Sequence, residues 1–160
     1  MKQQKWRTLK GGCIGISIKD AVQYALRSEK GKGFDVKVCI GTDSQVKGSV
    51  TEFATVIVFV RKGNGAFMFI SKELRTESYC IKQRMMQEVN KSIEVAHHLS
   101  DMLRSMNVAM EVHIEINRHK AFKSNEAFND AVGYITGMGF AYKAKPHAFA
   151  SSCCANKMVQ

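Results

Sequence analysis

Three successive stretches of this chain, residues 36–41, 53–60 and 66–70, carry β-branched and aromatic residues at strand-like density, with short polar segments between them. The first, Val36-Lys-Val-Cys-Ile-Gly41, alternates and runs into the polar Thr42-Asp43-Ser44-Gln45. The second is apolar almost throughout, as a strand buried on both faces is. Lys62-Gly-Asn-Gly65 turns the chain into the third, its hairpin partner. A three-strand meander with such strands exposes apolar surface unless helices cover it, so the remainder must supply them.

The pattern after residue 70 does so. Over residues 78–106, Met85, Val89, Ile93, Ala96, Leu99, Leu103 and Met106 recur at three- and four-residue steps, predicting one long helix closed by Asn107. Residues 110–116 alternate again, with Val112, Ile114 and Ile116 on one face and Glu111, His113 and Glu115 on the other. A second helix fits 125–138 and stops at Gly139. Residues 140–145 read as a last strand, Pro146 breaks it, and 148–158 form a short terminal helix. Ahead of the meander, 14–18 read as a short strand, and Asp20 caps a helix reaching about Glu29.

No repeat or linker divides the chain, so a single domain over 1–160 is expected, with 1–34 as an N-terminal extension. The expected class is α/β: a mixed five-stranded sheet, meander first and two parallel strands after, with helices on both faces. A right-handed crossover through the long helix sets the first and fourth strands side by side.

Composition narrows the function. Twenty-four Lys and Arg against fourteen Asp and Glu give a net charge of +10, which favours a polyanionic partner, nucleic acid first. No apolar run is long enough to span a bilayer, and the opening residues lack a secretory signal, so a cytoplasmic protein without membrane attachment is expected. The five cysteines, Cys13, Cys39, Cys80, Cys153 and Cys154, show no CxxC spacing and read as small buried thiols in a reducing compartment.

Within this basic chain, Asp43 follows the first core strand, Glu115 ends the fourth, and Glu88 flanks the apolar stripe of the long helix. Three carboxylates brought together would make an all-oxygen site suited to Mg²⁺ or Mn²⁺. Taken singly, each has a plainer role: Asp43 as a turn residue, Glu88 solvated on its helix, Glu115 paired with Arg118 or Lys120.

Element order and acid positions resemble the ribonuclease H fold, with Cys39-Ile-Gly-Thr-Asp43, Arg84-Met-Met-Gln-Glu88 and Glu111-Val-His-Ile-Glu115 matching its first strand, first long helix and fourth strand. More closely, Ile40-Gly-Thr-Asp-Ser-Gln45, Val112-His-Ile-Glu-Ile-Asn117 and Lys145-Pro-His-Ala-Phe-Ala-Ser-Ser-Cys-Cys-Ala-Asn156 resemble the bacterial ribonuclease H-like family called YkuK. In that pattern the terminal helix carries an aspartate after an alanine; here Ala155 is followed by Asn156.

The resemblance implies a nuclease that hydrolyses phosphodiesters with two Mg²⁺ or Mn²⁺ ions, held by Asp43, Glu88, Glu115 and, as a neutral ligand, Asn156. It places His147 where such enzymes keep a loop histidine for proton transfer. Lys72, Arg75, Lys82 and Arg84, with Lys143, Lys145 and Lys157, would hold the phosphates of RNA, DNA or a hybrid. Trp6 and Tyr79 are aromatics that could stack on bases. The alternative is a nucleic-acid-binding module that kept the fold and lost the chemistry, which Asn156 and the glutamate at 115 favour. The hairpin edge could also pair a second copy of the chain as a homodimer.

Overall fold

The computed structural model describes residues 4–121, 125 and 127–160. Alternation along the meander produces a sheet with two unequal faces. The elements are β1 (Trp6–Thr8), α1 (Ile18–Gly31), β2 (Val36–Lys47), β3 (Val50–Arg61), β4 (Ala66–Arg75), α2 (Ile81–Ser105), β5 (Met110–Asn117), α3 (Phe128–Gly137), β6 (Ala141–Lys145), a π-helical segment (Ala150–Ala155) and α4 (Asn156–Val159). Strand order is β1-β4-β3-β2-β5-β6. The β1, β4, β3 and β2 neighbours are antiparallel, whereas β2–β5 and β5–β6 are parallel.

Among the described residues the sheet therefore has six strands, not the expected five. The extra one is β1, which pairs Trp6–Thr8 with Phe69–Ser71 of β4. It occupies part of the hairpin edge on which the homodimer expectation relied. Trp6 is buried in the core and offers no stacking surface, while Tyr79 packs edge-on against Phe53.

Residues 14–18 form no strand; Cys13 makes a single bridge to Arg7. Ser17, not Asp20, caps α1, because its Oγ accepts the Asp20 N–H (3.1 Å). Cys80 caps α2 in the same manner, so that helix begins three residues later than expected. The expected start of α3 at Asn125 spans Glu126, which lies outside the described residues.

The polar stretch 42–45 is strand rather than loop. β3 pairs with β2 all the way from Val36↔Arg61 to Lys47↔Val50, so the ladder holds residues whose side chains alone suggest a turn. Gly48, at φ +62°, makes the tight connection.

One face carries the main core. Val38, Ile40, Ile57, Phe59, Val112 and Ile114 meet α1, α2 and α3 through Val22, Leu26, Val89, Ile93, Leu99 and Ile135. Thr42, at the edge of this core, bonds Ser92 of α2 (2.8 Å) and Thr55 (3.1 Å), so its buried hydroxyl is satisfied. The second face is smaller: Cys39, Val56, Val58 and Ile70 are covered by Ala150 and Ala155 of the C-terminal segment. Helices thus lie on both faces, and the acids sit where the two layers meet the end of β2.

Of the cysteines, Cys39 is buried and Cys154 half-buried; Cys13, Cys80 and Cys153 are exposed, so the expectation of five buried thiols fails for three. Among the described residues no helix is long and apolar enough to cross a membrane.

Candidate functional site

Parallel pairing of β2 and β5 runs to Gly41↔His113. Two residues further along each strand stand Asp43 and Glu115, which the alternation puts on the same, smaller face. Glu115 falls in an irregularity of the β5–β6 ladder between Ile114 and Asn117, a kind of local bend that re-aims side chains. Its neighbours are neither Arg118 nor Lys120. Lys145 of β6 ion-pairs with Glu115 Oε1, and Ser152 Oγ donates to Oε2 (2.6 Å).

Asp43 is 5% exposed. Its Oδ1 accepts the Ser44 N–H (2.8 Å) and its Oδ2 accepts from Asn156 Nδ2 (2.7 Å). Burial raises its pKa above the usual carboxylate range; the bonds from Asn156 and Ser44 oppose this, and the charge of Glu115 adds to it.

Glu88 enters from the α2 layer. Ser44 Oγ donates to its Oε1 (2.5 Å), and Arg84 Nη1 donates to the Ser44 carbonyl (3.0 Å). The carboxyl is 3% exposed, and its Oε2 is buried without a hydrogen-bond partner among the described residues. Burial lifts its pKa well above the ordinary value, and the Asp43 charge lifts it further. Two buried acids with raised pKa values, one with an unpartnered oxygen, form a donor set a hard cation would satisfy.

The segment carrying Asn156 and Ser152 reaches these acids because position 41 is glycine. A Cβ there would lie 2.5 Å from the Ser151 nitrogen and 2.7 Å from the Ala150 carbonyl carbon. His113 fastens the same segment: its Nδ1 accepts the Ala150 N–H (3.2 Å), and its ring meets Phe149 edge-on. Sequence reasoning missed Ser44, Ser152 and the part played by Gly41. A glycine inside a strand pattern is a signal of close backbone approach, whereas the two serines carried none.

His147 is exposed on the turn after Pro146 and makes no bond to the carboxylates. Lys72 pairs with Glu52, Arg75 with Glu73 and Lys82 with Asp130, while Arg84 holds Ser44. Lys143 and Lys157 are exposed, with no ion pair among the described residues.

A second cluster brings ligand atoms of Cys39, Glu111 and His113 within 4.8 Å of one another. Its chemistry does not suit a cation. Because His113 Nδ1 accepts a backbone N–H, the neutral ring carries its proton on Nε2 and points it at Glu111 Oε2 (3.3 Å). Burial pushes the Cys39 thiol up to about 12, and Lys37 already neutralises Glu111 (3.1 Å).

A mixed sheet with a meander, helical crossovers and acids at the end of its central strand defines a ribonuclease H-like protein. The chain belongs to the ribonuclease H-like family, whose model matches residues 18–160. It is similar to the Uncharacterized protein YkuK of Bacillus subtilis (strain 168), at 27% identity over 135 residues, covering 76% of this chain and 77% of that relative. No solved structure gives a significant match.

Proposed function

We propose that this protein is a metal-dependent nuclease that hydrolyses phosphodiester bonds of nucleic acid. The observation that carries the reading is the buried, unpartnered Oε2 of Glu88 beside the charges of Asp43 and Glu115. Asp43 and Glu88 would hold divalent metal, with Glu115 and Asn156 lining the same site. Mg²⁺ or Mn²⁺, when bound, supplies Lewis acidity at the phosphate and an activated water.

The chain's own groups do the rest. Ser44 and Arg84 fix the Glu88 carboxyl, which must give up its proton to serve as a ligand. The exposed Lys143 and Lys157 attract the phosphate backbone, and His147 is open to solvent and able to move a proton at the leaving oxygen. Unpaired cysteines suit a cytoplasmic setting. One observation favours the second reading, a binding module without catalysis: Asn156 presents a neutral amide to Asp43.

The deciding experiment offers labelled RNA, DNA and hybrid with Mn²⁺. Cleavage is expected, and Asp43→Asn should lower it by at least about 10³-fold, the scale of losing metal-assisted charge stabilisation. Undiminished cleavage in that variant overturns the nuclease reading, and salt-sensitive binding without any cleavage replaces it with the binding module.

A further inference from the structure

The acid cluster is not symmetrical. On one side, Glu88 Oε2 has no partner and lies beside Asp43. On the other, both oxygens of Glu115 are engaged, one by the Lys145 ammonium and one by Ser152. Asn156 completes this closed side with the wrong end of its amide. Its Nδ2 faces Asp43, while its Oδ1 accepts from Gln160 Nε2 (2.5 Å). The orientation is dictated by charge, because an amide oxygen turned toward the Asp43 carboxylate would be repelled.

We infer that the site takes a single divalent cation, between Asp43 and Glu88, and that the Lys145 ammonium supplies the second positive charge of the centre. One divalent ion and one ammonium neutralise three carboxylates. A second ion on Glu115 would leave an excess of positive charge and would have to displace the Lys145 ammonium paired with it. Lys145 sits on β6 directly across from the β5 irregularity that carries Glu115, so backbone pairing, not a flexible loop, holds the ammonium there. An ammonium has three donors and Glu115 takes one, which leaves others for a phosphate oxygen. This inference rests on the metal-dependent reading above and concerns how many ions that reading needs.

The test counts Mn²⁺ bound to the whole chain, by calorimetry and by the paramagnetic resonance of free Mn²⁺, without substrate. Wild type should bind one ion, Glu88→Gln should lose it, and Cys39→Ser should keep it. The double variant Lys145→Met/Asn156→Asp should bind two, and Lys145→Arg should stay at one. Circular dichroism checks that each variant is folded, and the wild-type count decides without any variant. Two ions on wild type, with cleavage intact, overturn the role of Lys145 and leave the nuclease reading standing. No ion, or one that survives Glu88→Gln, overturns the site itself, and cleavage assays then report separately on the nuclease reading.

Discussion

The two faces of the sheet are built by different rules. The α1–α3 face is a broad apolar core in which the buried Thr42 hydroxyl is bonded, and only at its edge does a carboxyl, Glu88 of α2, reach the end of β2. The opposite face has a small apolar patch under the C-terminal segment and, next to it, Asp43 and Glu115, with burial and the Glu115 charge raising the Asp43 pKa. Most of the apolar packing thus lies on one side of β2, and the acids gather from both sides at its end. β2 alternates between them residue by residue, Ile40 and Thr42 serving the first and Gly41 and Asp43 the second.

That contrast can be broken by substitution. Leu99→Ala, at a fully buried position of α2, should cost about 2–5 kcal/mol in urea unfolding. Mn²⁺ affinity of the remaining folded protein should not change; a matching loss of affinity would show the faces to be coupled. Gly41→Ala should cost less, about 1–3 kcal/mol, by pushing on the Ser151 backbone. Its signature is different: the segment from Ala150 onward should become open to limited proteolysis while the α-helical face stays protected. Equal protection of both faces would show that Gly41 does not seat the C-terminal segment.

The smallest effect sharpens the comparison through pH. At the end of α1, Arg61 Nε donates to the buried Glu29 Oε2 (2.5 Å), and this bond holds the Glu29 carboxyl below its ordinary value despite opposing burial. The folded chain therefore binds fewer protons at Glu29 than the unfolded chain does. This contribution is fully present above the unfolded value, about 4.3, and is lost as pH falls through the lowered folded one. The thermal midpoint of wild type should fall more steeply below about pH 4 than that of Glu29→Gln; parallel curves would assign the acid sensitivity to other carboxylates.

Much of this architecture was legible in the sequence because periodicity reports burial. The long helix, the hairpin and the alternation of β5 all follow from where apolar residues recur. The failures share a cause: contacts made across the chain. Trp6–Thr8 is strand only because β4 has an edge to pair, and Thr42–Lys47 is strand only because β3 continues beside it. At the site, the acids could be named from residue type and position. The pairing of Glu115 with Lys145 instead of Arg118 or Lys120 could not, since it depends on β6 lying next to β5 and on the irregularity between them.

The bond between Asp43 and Asn156 joins residues 113 positions apart, and this has a consequence for biosynthesis. A ribosome delivers β2 through β5 well before the peptide that shields Cys39, Val56, Val58 and Ile70. During that interval the nascent sheet has one greasy side in water, a substrate for chaperones. Its acids also have neither Lys145 nor Asn156 beside them.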